Sequence, residues 1–165
     1  MALPRTIRNF NAFVDGVSYF GIVDEGKLPA VKIQTEAHRG AGMDGPIGID
    51  VGMEALASEM SFSEWVPAIV KKLGRQERFV FRPAMANPSD FGAVPIVATL
   101  SGLITVSEPG DLKPGTPSKL KISMDVRSYR LEIDGELLLD IDLPNAKRVI
   151  GGQDQLADMR RAMGI

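Results

Sequence analysis

The chain has 165 residues, 44% of them hydrophobic and 24% charged, with a net charge of −2. That is enough apolar material for one packed core, without the basic excess that holds nucleic acid. It has no cysteine and one histidine, His38, which excludes disulfides, thiolate metal sites and a His-pair metal site within one chain.

The opening MALPRTIRNFN lacks the apolar centre of a signal peptide. The longest weakly polar run, residues 92–106, is short for a membrane span and is interrupted by Pro95, Thr99, Ser101 and Thr105. The expectation is a protein made in a cytoplasm that stays soluble or assembles there, with no direct membrane insertion. In chain order, FVDGVSY at residues 13–19 predicts a hairpin, because Asp-Gly between apolar and β-branched residues is a strong turn signal. Val31, Ile33 and Thr35 alternate with Lys32, Gln34 and Glu36, and Ile47, Ile49, Val51 and Met53 alternate with Gly48, Asp50 and Gly52. Both runs predict strands.

Between those strands lies GAGMDG, Gly40 to Gly45, which satisfies G-x-G-x-x-G letter for letter. That fingerprint binds a dinucleotide only between a buried strand and a helix whose N-terminus faces the pyrophosphate. Here a half-polar strand precedes it and a second strand pattern follows, so a flexible loop over residues 37–45 is the better reading.

LASEMSF, residues 56–62, suits a strand with Leu56, Ser58, Met60 and Phe62 on one side. SEWVPAIVKKLG, residues 63–74, predicts a helix capped by Ser63, with Pro67 in its first turn and Gly74 as its stop. Trp65, Ile69 and Leu73 would form its apolar face, packed on the sheet. RFVFRPAM and VPIVATLSGLITV predict strands split by the loop ANPSDFG, and the proline-rich SEPGDLKPGTPSK predicts another loop. In KLKISMDV, Leu120, Ile122, Met124 and Val126 face inward, and Asp134-Gly135 turns the following hairpin. QDQLADMRRAMGI predicts a short C-terminal helix with Asp154 as cap and Leu156, Met159 and Met163 on one face. The sum is a mainly β protein, an antiparallel sandwich or barrel with one flanking α-helix and a short C-terminal helix.

Catalytic constellations are weak. A Ser–His–Asp triad would have to use His38, placed in a glycine-rich loop. The carboxylates Asp50, Glu54 and Glu59 have no spacing that defines a reaction, and Arg160 and Arg161 read as a solvated basic face. No cofactor or metal is implied. Long strands with a polar face leave sheet edges that invite pairing with another chain.

The motifs form an order of their own: N-x-F-V-D-G at residues 11–16, Leu28-Pro29, E-x-x-R-G-A-G-M-D-G at 36–45 and I-D-V-G-M-E-A at 49–55. S-Y-R-L-E-I-D-G at 128–135 and D-Q-L-A-x-M-R at 154–160 follow. This order resembles the tail tube proteins of contractile-tailed phages, and equally those of R-type pyocin-like particles, over essentially the whole chain. The resemblance implies a single tail tube domain, residues 1–165, whose hexameric rings stack into a hollow tube inside a contractile sheath. It implies self-association as the main partnership, with sheath, baseplate or initiator, and tape-measure proteins as further partners. DNA would pass in transit without specific binding, or the tube would puncture a membrane. The protein would be assembled in the bacterial cytoplasm and reside in a virion tail or phage-tail-like particle. His38, Arg39, Gly40, Gly42, Met43, Asp44 and Gly45 would form an inter-ring loop, disordered alone and ordered on stacking. Gln34, Glu36, Asp50 and Glu59 would share a polar face lining the lumen, an acidic wall that repels phosphates. The rival readings are a small soluble enzyme using His38 with Asp44 or Asp50, and an unrelated β-sandwich adaptor.

Overall fold

The computed structural model describes residues 2–165. Among these, the chain forms twelve strands and two short helices. The strands are β1 (Thr6–Val14), β2 (Val17–Ser18), β3 (Val23–Lys27), β4 (Ile33–His38), β5 (Ile47–Met53), β6 (Leu56–Phe62), β7 (Gln76–Ala86), β8 (Ala93–Pro109), β9 (Leu120–Ile133), β10 (Glu136–Asp142), β11 (Lys147–Ile150) and β12 (Gln153–Asp154). The helices are α1 (Pro67–Val70) and α2 (Ala157–Met163).

The long pair β8–β9 is the spine, antiparallel from Ile96↔Ile133 to Pro109↔Leu120. The other edge of β9 is divided between two partners. Leu120 to Val126 pairs with β6, and Ser128 to Ile133 pairs with β10. Arg127, at the junction, has no partner on β8, whose register passes from Ser101↔Ser128 to Gly102↔Val126. This bulge shifts the alternation by one, so Val126 and Tyr129 both point into the core. Gly102 faces the bulge so closely that an added Cβ would lie 2.1 Å from the carbonyl oxygen of Asp125.

β7 and β1 continue the sheet beyond β8, with β2 at the rim. β3 adds to β6, while β11 and β12 follow β10. The two wings close on one core, in which Val14, Phe79, Phe81 and Leu100 meet Leu56, Met60, Phe62, Ile122 and Met124. Tyr19 sets its ring edge-on to Phe62 at 5.4 Å. Gly26 brings the β3 backbone onto Phe81, where a Cβ would lie 2.4 Å from the ring.

The expected Asp-Gly turns are present: Asp15 and Gly16 have φ of 50° and 77°, and Asp134 and Gly135 have 51° and 78°. Positive φ at both central positions is the turn that matches strand twist. The inward residues of β6 and of β9 are also as expected. The central helix is not. It shrinks to one turn, and Ser63 does not cap it, because its hydroxyl donates to the carbonyl of Ile22. Ile69 is fully buried, but Trp65 and Leu73 are 45% and 50% exposed. Ile69, with half-buried Val66 beside it, anchors this segment to the core.

Phe62→Ala is expected to destabilise the fold by about 3–5 kcal/mol, and Trp65→Ala by less than about 1 kcal/mol. Urea unfolding of both variants checks the contrast, and equal losses would return Trp65 to the core. Gly102→Ala is expected to cost about 1–3 kcal/mol or more, because the strand pair must part at the bulge; a neutral result would show that the spine tolerates a wider spacing.

Candidate assembly interface

β4 and β5 pair only with each other in the structure described, from Ile33↔Met53 to His38↔Ile47. They continue β3 and β6, which pair from Val23↔Phe62 to Lys27↔Glu59. The backbone N–H of Glu54 donates to the carbonyl of Lys32 at 3.0 Å and bridges the two pairings. The result is one long hairpin whose base lies in the core and whose outer half is a projecting arm. Every residue of β4 is exposed, as are Ile47 to Val51 of β5.

The loop at the arm's tip differs from expectation. His38 belongs to β4 rather than to the loop. The turn beyond it is structured. Met43 N–H donates to the carbonyl of Gly40 at 3.2 Å, and the Arg39 guanidinium donates to the carbonyl of Met43 at 3.2 Å. Gly40 N–H also lies 3.1 Å from the Met43 sulfur. Of the three glycines, Gly42 takes a positive φ, 86°, while Gly40 and Gly45 do not. Asp44 is exposed. The element after the glycines is β5, so no helix N-terminus faces them and the dinucleotide reading has no geometry to use.

The register divides the polar residues. Directly opposed residues on an antiparallel pair project to the same face. Glu36 opposes Ile49 and His38 opposes Ile47, whereas Thr35 opposes Asp50. Glu36 and Asp50 therefore lie on opposite faces of the arm. A single polar face containing Gln34, Glu36 and Asp50 is not what the strands build. The cause is a bulge: the register slips between Gln34 and Thr35, leaving Val51 without an opposite residue. Glu59 sits apart on β6, opposite Lys27 and Ser123, with its carboxylate 3.3 Å from Lys121.

Asp50 is not a free carboxylate. Its Oδ2 accepts from the Arg148 guanidinium on β11 at 2.7 Å, and its Oδ1 accepts from Gly52 N–H at 2.9 Å. The Arg148 bond first, and the Gly52 bond second, hold its carboxyl below the usual carboxylate value. Arg148 is 5% exposed, and its Nε has no partner among the described residues. A buried cation with one donor unsatisfied depends on the anion it has. This ion pair holds the arm toward the β10–β12 side. Nothing in the sequence signals it, since the partners are 98 positions apart.

No chemistry assembles around His38. Among the described residues its imidazole makes no hydrogen bond to a carboxylate, and no group of three or more His, Asp or Glu is placed to hold a metal. At the C-terminus, Asp154 ends β12 and does not cap α2, whose N-cap is Leu156; its carboxylate accepts from Leu156 N–H at 3.1 Å and binds Arg160. α2 nevertheless buries no residue, and Met159 and Met163 face solvent rather than the sheet.

Comparisons with known proteins agree with one another. The family described as Phage tail tube protein FII matches residues 4–164. The tail tube protein of Escherichia phage P2 is 30% identical over 174 aligned positions, covering 100% of each chain. The major tail tube protein of Serratia phage KSP20 is 31% identical over 148 positions, covering 88% of this chain and 86% of that one. Among solved structures, a chain in the cryo-EM structure of the anti-feeding prophage baseplate, 6-fold symmetrised, has the same fold. The TM-score is 0.54 at 13% identity, covering 80% of this chain and 97% of that one.

Asp50→Asn is expected to lower the thermal midpoint at neutral pH, because Arg148 loses its anion. The sign with pH follows from the depressed carboxyl. Its contribution is present above the unfolded value of about 3.9 and is lost as pH falls through the lower folded value. Asp154 is depressed in the same direction by Arg160, so part of the acid limb survives in the variant. Melting curves of both proteins from neutral to acid pH should converge in acid. A constant gap at all pH values would show that Asp50 acts by something other than charge.

Proposed function

The chain belongs to the phage tail tube family; its role is structural, in the tube of a contractile tail, and we propose that it acts there as hexameric rings stacked end to end. It is a component of a virion tail, not an enzyme. The family match over residues 4–164 carries the reading. The arm supports it: an exposed two-stranded projection pairs with no further strand among the described residues. A contact made by such a projection on a different surface of the next copy is heterologous, so it closes into rings or extends into filaments.

In this proposal the whole chain, residues 1–165, works as one domain. Assembly in the bacterial cytoplasm, a surrounding sheath, and baseplate and tape-measure partners complete it. The tip, His38 to Gly45, reaches the adjoining ring. It does so as a preformed turn, which lowers the ordering cost of stacking.

The lumen is reassigned within the same proposal. Asp50 is bound to Arg148, and Gln34 and Glu36 go with the isoleucine face of the arm. Glu59 remains the lumen candidate. It lies on the outer face of β3–β6–β9 with Glu25, Lys27, Lys121 and Asp125, a mixed polar wall. Balanced charge of this kind neither grips nor strongly repels nucleic acid in transit.

Purified protein is expected to give rings or tubes in negative stain at high concentration or on a tail initiator; monomers under both conditions would overturn the assembly. Deleting residues 39–44 leaves Gly45-Pro46 to join His38 and Ile47, a length that a tight hairpin accepts. The variant should keep its melting temperature, since loop length alters closure by only about 0.6 kcal/mol per doubling, and should fail to elongate. Normal tubes from it would end the inter-ring role of the tip.

A further inference from the structure

A groove runs between β1 and β3 where the two wings of the sandwich fail to meet. β3 pairs with β6 on one side only, and β1 pairs with β7 on one side and touches β2 only at Phe13 and Val14. Two strand edges therefore face each other with no strand between them among the described residues. The groove has an apolar end of about 140 Å³, lined by Ile7, Phe10, Gly26, Leu28, Phe81 and Pro83. None of these side chains is ionisable. Ile7 is exposed, while Phe81 and Pro83 form a buried floor. Open strand edges over an apolar floor are a template for an added strand.

The arm has the matching chemistry. Ile47, Ile49 and Val51 of β5 are exposed. The one ionised side chain of β5, Asp50, is already neutralised by Arg148. Because Asp50 and Ile49 lie on opposite faces, the pair that ties Asp50 to β11 turns the isoleucine face away from the protomer. That same pair holds the arm on the β10–β12 side, so it does not fill its own groove.

We infer that the groove between β1 and β3 receives the arm of a second copy, with Ile47 and Ile49 of β5 seated over Ile7, Phe10 and Leu28. Backbone pairing supplies the register, and the apolar end of the groove takes the β-branched side chains of β5, whose face also carries Glu36 of β4 opposite Ile49. This rests on the tube reading and names the receiving surface for the arm.

The absence of cysteine in the chain makes cross-linking a clean test. Ile7→Cys and Ile49→Cys alter exposed positions, so each single variant and the double variant should fold and form tubes. In assembled tubes, the double variant should oxidise to a ladder of covalent multimers on a reducing-sensitive gel, and neither single variant should do so. Leu28→Cys with Ile47→Cys gives a second pair on the same register. Ile7→Glu should leave the melting temperature unchanged and reduce tube yield by at least about tenfold, since a charge would be buried unpaired at the contact. Tubes that form normally without a ladder from either pair, or with Ile7→Glu in place, overturn the groove while leaving the tube intact. Unaltered protein that forms no tube on any initiator overturns both.

Discussion

The divided edge of β9 is the constraint on which the rest depends. One strand serves two partners, β6 along its first half and β10 along its second. A regular strand would then present one half of its side chains to the wrong face. The unpaired Arg127 absorbs the mismatch, and Gly102 allows β8 to stay close across the bulge. Because β6 and β10 leave the same strand in different directions, β5 can run beyond β6 and come to rest against β11. The arm, its ion pair and the open groove between β3 and β1 are consequences of that branching.

Most of the framework was legible because it is written in local patterns. Alternation in KLKISMDV, the two Asp-Gly turns and the proline-rich loop each depend on residues within a few positions of one another. The central helix was misread for a related reason. Trp65, Ile69 and Leu73 have helical spacing, but Trp65 precedes the first turn at Pro67, and beyond Val70 the bonds tighten to a three-residue step, such as Lys72 N–H to the carbonyl of Ile69. A single turn gives one inward position, and Ile69 takes it. The same applies to α2, where Met159 and Met163 share a face that no element among the described residues covers. The tube family itself was legible from motif order rather than from any one residue.

What the sequence hid was pairing. Alternation on β4 and on β5 predicts a polar side for each strand but not which sides coincide. That is set by register, and a bulge at Val51 changes it. Placing Gln34, Glu36 and Asp50 together assumed that the two polar sides meet. The Asp50–Arg148 pair was hidden more deeply, since a basic residue in KRVI reads as ordinary strand surface. Its buried guanidinium could be found only once β11 had a place in the sheet.

The ion pair bears on how such a protein assembles without tangling. Ile33, Ile47, Ile49 and Val51 are exposed on one projection, and apolar area removed from water is worth about 25 cal/mol per Å². A free arm would find apolar surface wherever it could, including on its own protomer. Fixing Asp50 to a buried Arg148 restricts the arm to one posture. It lowers the entropy lost on docking and aims the isoleucine face outward. Restriction also raises specificity, because an arm held away from its own groove can satisfy only the groove of a neighbour. A contact of that kind leaves one arm and one groove open at the ends of any short chain of protomers. Growth then stops only when the chain closes on itself or meets a different protein, which is the behaviour a tube of defined length requires.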